Sequence, residues 1–335
     1  MIWHDLISTA IHSPSPHNVQ PWLVKIISDT EAELYIDSRR TLPKEDITGS
    51  FIVLTMGIFI KALSTLAGAK GSDLSFEFTQ TPEQCAQAIL EVKGPTNIPF
   101  AKLRLTPSAG GPVVFDENLF LKRRTSRLPL LEKSIPVEVL RRFQNLAAAR
   151  GQTFSYLTDR VKIEKIMAYN TEAVFEDLNS PAYHDEIVEW FRYSDKESDE
   201  KLDGLDYRCM NTHPLLYKMS AKMSWMMKTP LLKTMMAKTY RSQLGPVPTL
   251  GICSGKFWDP ADAFSAGQFL LEFWLQTAAN DIYIHPYGNL VTNRRIAAPV
   301  EKETGVADAW LIFKMGYSAE PTKSRRLPLE RVLIK

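Results

Sequence analysis

The sequence predicts a mixed α+β protein built on two long apolar helices. Three observations carry that expectation. Residues 50–67 and 261–280 are apolar on nearly all sides, as helices at the centre of a core must be. Short runs such as "WLVKIIS", "AELYID", "TFSYLTD", "TLGICSG" and "AWLIFKMGY" read as strands between helical stretches. Both long helices also carry an internal glycine, Gly57 and Gly267, and are followed by strands ending in "EVKG" and "FKMG", a faint internal repeat. The repeat has two readings: coincidence between two buried helices of a mixed fold, or two similar halves packed around their paired helices.

Taken in order, "DLISTAIHS" predicts a short helix with Leu6, Ile7, Ala10 and Ile11 on one face. "WLVKIIS" and "AELYID" are strands about a polar turn. The helix over 50–67 is interrupted by Thr55, Lys61, Ser64 and Thr65 only. "LSFEFT", "AILEVKG" and "AKLRLT" read as strands, and "PSAGGPV", 107–113, is the best linker, rich in Pro and Gly. Pro136 opens a helix with Val139, Leu140, Phe143, Leu146 and Ala147 on one face, and Gly151 ends it. The strand "TFSYLTD", the helix "VKIEKIMAYNTEAVFEDL", the strand "TLGICSG" and the long helix 261–280 follow. "DIYIH", a polar helix and "AWLIFKMGY" complete the chain.

Length and composition narrow the function classes. At 335 residues the chain is one large domain or two, with 44% hydrophobic and 23% charged residues, ordinary for a globular protein. A net charge of +2 gives no case for nucleic acid as a partner. Cys85, Cys209 and Cys253 form no CxxC pair, so neither a zinc site nor a disulfide framework is indicated. The start lacks a signal-peptide pattern, and "FIVLTMGIFI" falls short of the roughly 20 residues of a bilayer span, so a cytoplasmic protein is expected. No Gly-rich dinucleotide or nucleotide loop, HExxH or GxSxG motif is present. His12 and His17 have no acid or thiol beside them in sequence to complete a metal set.

Three polar clusters remain. "SPSPHNVQPW", residues 13–22, concentrates Pro14, Ser15, His17, Asn18 and Gln20 on a stiff backbone. "KRRTSR" spans Lys122 to Arg127 and "KSRR" spans Lys323 to Arg326. Basic runs with interleaved hydroxyls suit phosphate, because guanidinium forks bind its oxygens in pairs and hydroxyls add donors.

The first cluster resembles the PSxxNxQPW signature of the nitroreductase-like flavoproteins. "RRTSR" is similar to that superfamily's RRSxR phosphate motif, and "KMGYSAEPTKSRRLPLERV" to its Gly-Tyr…Lys-x-Arg…Pro-Leu-Glu ending. "SRRTLPKEDITGS" and the order of the halves resemble the Acg-like branch, whose single chains carry two nitroreductase-like halves. The resemblance implies a nitroreductase-like α+β fold with two pseudo-symmetric halves around long central helices, 1–112 and 113–335. It implies FMN bound by Arg123, Arg124, Thr125 and Arg127 and, from the tail, Lys323 and Arg325. Pro14, Ser15 and Asn18 are then presented to the flavin by the first half, with Pro286 and the Gly288 N–H of "HPYGN" beside the ring. The first half has no RRSxR before its loop and the second has no PSxxN loop, so one FMN per chain is expected. NADH or NADPH is the implied reductant, and a nitroaromatic, quinone or similar electrophile the acceptor. No side-chain acid or base stands out. A pseudo-dimeric monomer is implied, and the alternative is a non-catalytic FMN store.

Between Tyr207 and Trp258 there is no Asp or Glu, while six cations from Lys218 to Arg241 punctuate the run. Seven of the eleven methionines fall between Met210 and Met236, with Met219, Met223 and Met226 on one helical face beside Trp225. Residues 205–241 read as a Met-rich lid, with Pro230 splitting two helices. A basic amphipathic stretch also suits a membrane surface, so contact through 214–241 stays open, as does a protein partner.

Overall fold

A computed structural model describes residues 2–108, 110, 115–222 and 229–335. The first half runs α1 (Ile2–Ala10), β1 (Trp22–Ile26), β2 (Glu31–Asp37), α2 (Ser50–Ala69), β3 (Ser72–Phe78), α3 (Pro82–Glu91) and β4 (Asn97–Pro107). The second opens with α4 (Glu117–Lys122), α5 (Val137–Ala149) and β5 (Thr153–Leu157). Then come α6 (Arg160–Asn179), α7 (His184–Glu189), β6 (Phe191–Arg192), α8 (Asp195–Lys201), β7 (Leu205–Asp206), α9 (Pro214–Lys222) and α10 (Pro230–Leu244). It closes with β8 (Thr249–Ser254), α11 (Pro260–Ala279), β9 (Tyr283–Pro286), α12 (Asn289–Thr292), α13 (Arg294–Thr304), β10 (Ala309–Gly316) and α14 (Leu329–Val332).

Two antiparallel four-stranded sheets have the same connectivity. One is ordered β1-β2-β4-β3 and the other β5-β8-β10-β9, so, leaving aside the separate β6–β7 pair, each sheet places its own first, second, fourth and third strands side by side. In each half the long helix lies between the second and third strands. The fold is therefore α+β with two pseudo-symmetric halves, and the repeat around the long helices is architectural. Its sequence alignment needs correcting: "AILE" lies in α3, not in a strand, and the counterpart of β10 is β4. Thr81 and Gln84 form a reciprocal capping box at the start of α3, and a hydrogen-bonded helix start overrides a short apolar run.

The long helices meet through their glycines. A Cβ on Gly57 would sit 2.2 Å from the Phe264 carbonyl oxygen, and one on Gly267 would sit 2.1 Å from that of Leu54. Lys61, a polar interruption in the sequence, reaches across from α2 to Glu272 on α11 at 2.6 Å. Glu272 also takes a two-pronged contact from Arg150 at 2.7 and 2.8 Å. Thr55 returns its hydroxyl to Phe51 O at 2.8 Å within α2. With 20 residues, α2 is long and apolar enough to cross a bilayer, but most of it is buried inside the protein against α11.

The halves differ most between their first two strands. β1 and β2 are joined by a short hairpin, whereas β5 and β8 are separated by residues 158–248, which hold α6 to α10. The expected lid, 205–241, is the later part of that longer insertion, and the break at Pro230 starts α10. Met223, Met226 and Trp225 lie outside the described residues, as do residues 111–114 at the expected boundary of the halves. The C-terminal tail leaves β10 and crosses back to the first half, where Ile334 N donates to Val24 O at 2.9 Å.

Gly57→Ala or Gly267→Ala should each destabilise the fold by at least about 1–3 kcal/mol through overpacking. Gly68, in the last turn of α2 with nothing near its Cβ position, is the control: Gly68→Ala should be neutral or stabilising. Denaturant midpoints measure all three, and tolerance of alanine at Gly57 and Gly267 would contradict the contact.

Candidate functional site

A cavity of about 700 Å³ lies where the halves meet, within the size range of cofactor and ligand sites. The first half supplies His12, residues 14–18, Leu42, Glu45, Asp46 and one side of α2. The second supplies Leu121, 123–125, Arg127, parts of α6, α9, α10 and α11, residues 285–289 and the tail. Pro14, Ser15, Asn18, Arg123, Arg124, Thr125, Arg127, Pro286, Gly288 and Lys323 all line it. Arg325 does not: its guanidinium turns to Asp199, with contacts of 2.8 and 2.5 Å. Arg326 lines the cavity in its place.

The opening loop is held by its polar side chains. Ser15 Oγ accepts from Gln20 N at 3.0 Å, and Gln20 Oε1 accepts from Leu327 N at 2.8 Å. Asn18 Nδ2 donates to Arg325 O at 3.1 Å and to Gly204 O at 3.3 Å, while its Oδ1 accepts from Arg326 at 2.7 Å. Both ends of that amide are thus engaged by protein, so Asn18 shapes the wall by clasping the tail. His17, Asn18 and Gln20 hold φ of 45°, 57° and 56°, a left-handed run of non-glycine residues that costs about 1 kcal/mol or more each. The contacts to the tail and to residues 202–204 offset that strain. Trp22 closes the loop, fully buried and stacked on Phe59 with ring centroids 4.7 Å apart.

The opposite strand edge positions the basic run. Ser126 N donates to Ile284 O at 3.1 Å, which lays 123–127 beside β9. Arg123 lies over the Trp274 ring at 4.6 Å and donates to His12 O at 3.0 Å. Arg326 reaches the same carbonyl at 3.3 Å. Burial pulls Arg123 down to about 9, with the neighbouring charge of Arg326 adding to it, and burial pulls Arg326 down to about 10. The Nε atoms of Arg123, Arg124, Arg127 and Arg326 are buried without a hydrogen-bond partner among the described residues. All four of these arginines line the one cavity, a concentration of positive charge that suits an anion.

The wall also holds acids that sequence reading missed. Glu45 and Asp46 follow a turn after β2, and Asp177 comes from α6. Glu45 lies 3.2 Å from His17 Nε2. Burial and the charge of Asp177 push Glu45 up to about 8, and burial pushes Asp46 up to about 6. No motif marks these residues, because turn and helix meet only in the fold. A second cavity of about 960 Å³ adjoins the first, with Glu45, Phe175, Asp177 and Thr292 lining both.

The insertion lies over the site. Leu216, Met219, Leu232, Met235 and Met236 line the cavity from α9 and α10. Arg127 is buried among Tyr217, Tyr240 and Tyr287 and donates to Cys209 O at 3.3 Å.

No family model matches the chain, and no curated protein does. Among solved structures it is similar to nitroreductases. The FMN-dependent nitroreductase NfnB from Mycobacterium smegmatis, in complex with NADPH, aligns over 65% of this chain and 96% of its own, with 14% identity and a TM-score of 0.42. The FMN and NADPH-dependent nitroreductase NfnB from Sphigopyxis sp. strain HMH aligns over 65% and 97%, with 13% identity and a TM-score of 0.42. A nitroreductase with bound FMN from Bacteroides fragilis NCTC 9343 aligns over 63% and 91%, with 15% identity and a TM-score of 0.33. Likenesses of this size leave the functional reading to the residues themselves.

His12 sets a pH dependence. Burial, then the charges of Arg326, Lys323 and Arg123, lower its pKa from 6.5 to about 3. The unfolded chain therefore binds the proton first, so this stability is present above about pH 6.5 and is lost as pH falls towards 3. In urea unfolding, His12→Gln should lose less stability than the parent between about pH 7 and 4.5. Equal losses would contradict a neutral, buried imidazole.

Proposed function

We propose that the chain is an FMN-binding oxidoreductase, reduced by NADH or NADPH, that passes electrons to small electrophiles such as quinones or nitroaromatics. The observation that carries this reading is the set of four arginines, each with an unpaired buried Nε, that line one cavity between the halves. That set coincides with the RRTSR and KSRR motifs, opposite the PSxxN-like loop. FMN fits it: a dianionic phosphate takes charge-assisted hydrogen bonds worth about 1.5–3 kcal/mol each, and a mostly apolar wall suits a flat ring.

Arg123, Lys323 and Arg326 would hold the phosphate, with Arg326 in the role expected of Arg325. Arg127 would face the ring, and Pro286 and Gly288 would lie along its edge. When bound, the flavin supplies hydride chemistry that no side chain here can. The chain's own residues position and desolvate it. Trp274 fixes Arg123 by stacking, Asn18 and Gln20 fix the tail that carries Arg326, and the Met and Leu side chains of α9 and α10 exclude water. The halves 1–112 and 113–335 contribute complementary parts, so one composite site per chain is complete without a second copy.

Arg123→Ala with Arg326→Ala should abolish FMN retention through gel filtration, whereas Arg325→Ala should retain it. FMN held by the double variant would place the cofactor elsewhere. Bleaching of the bound flavin by NADPH would support the enzyme reading, and a spectrum that never changes would favour a flavin store.

A further inference from the structure

We propose that Glu45, paired with His17, is the proton donor of this cavity, supplying the proton that a two-electron acceptor needs besides the hydride. The inference rests on the flavin oxidoreductase reading above.

Four carboxylates gather beside the cavity, and three have structural partners. Asp46 accepts from Ile52 N at 2.9 Å, at the start of α2. Asp177 accepts from Asn289 at 2.5 Å and from Asn293 at 2.9 Å. Glu186 accepts the main-chain N–H groups of Lys44 and Glu45 at 2.9 to 3.1 Å, which fixes the turn itself. The Glu45 carboxyl meets only His17 Nε2 among the described residues, at 3.2 Å.

Position supplies the second part. A proton donor must face the acceptor on one side and recover protons from water on the other. Glu45 lines both cavities. The second is bounded by Glu172, Glu176 and Arg295, whose side chains are 43%, 41% and 58% exposed, so it is the solvent side. His17 and Glu45 line the same cavity as Arg123, Arg127 and Arg326, which places the pair within the same site.

The groups facing the pair set its charge state. Burial and Asp177 raise Glu45, while Asp46 and Glu186 carry negative charge nearby and Lys44 acts on Glu186. Burial lowers His17 to about 4; Glu186 opposes this and Arg127 adds to it. At neutral pH the pair is a carboxylic acid beside a neutral imidazole, a store of one transferable proton.

The chemistry balances for a quinone. Reduction to the hydroquinone takes one hydride, from the reduced flavin that NADH or NADPH regenerates, and one proton. The Glu45 O–H bond breaks, an O–H bond forms on the acceptor, and the electron pair stays on the carboxylate. Water in the adjoining cavity returns the proton. Phe51, Leu54, Phe175 and Met236 provide the apolar surface that a quinone ring needs.

Infrared spectroscopy of the full-length protein tests the acid without turnover. Wild type should show a protonated-carboxyl band at pH 7 that fades near pH 8 and is missing from Glu45→Gln. With reduced holoprotein, Glu45→Gln should slow p-benzoquinone reduction at least about 100-fold and flatten its pH profile. Ferricyanide takes an electron without a proton, and its reduction should be unchanged. Loss of both activities would mean a structural role and overturn the proposal, as would wild-type quinone rates. A Glu45→Gln that cannot hold flavin leaves the wild-type band to decide, and its absence sinks the proposal. If the wild type binds no flavin, the oxidoreductase reading fails instead, while the band still reports on Glu45.

Discussion

The close approach of α2 and α11 is the constraint on which the rest of the molecule depends. Two glycines, Gly57 and Gly267, bring each helix against the other's carbonyl oxygens, where no side chain fits. The Lys61–Glu272–Arg150 contacts fasten the same face. With the helices fixed, the loop before β1 meets the basic run before α5. Cavity, arginine cluster and acid pair are all consequences of that juxtaposition.

The tail completes what the helices begin. It carries Arg326 past the opening loop and then meets β1, so the tail is bound to the first half across the site. Gln20 and Asn18 serve this clasp, which accounts for a loop so rich in amides and left-handed backbone. The result concentrates buried positive charge that the protein leaves incompletely paired. Such an arrangement is costly to fold and is useful where an anion is to be held.

Much of this was legible in the sequence. Buried helices declare themselves by apolar residues on every side, and the motif residues at 14–18, 123–125, 127 and 323 do line one cavity. Arg325 and Arg326 could not be told apart, because adjacent residues of an irregular tail point by contacts made elsewhere, here Asp199 and Asn18. "AILEVKG" misled because its apolar spacing fits a strand as well as a helix end. Glu45 was invisible: its meaning comes from Asp177 and His17, distant in sequence. The insertion over 158–248 showed only its Met-rich part, since α6 looks like any other amphipathic helix.

The composite site is tested most directly by the flavin released per chain when the purified, FMN-saturated protein is denatured. The account predicts one FMN, held by the second half's arginines and the first half's loop. Two per chain would contradict the asymmetry between the halves, and none, after incubation with excess FMN, would contradict the site itself.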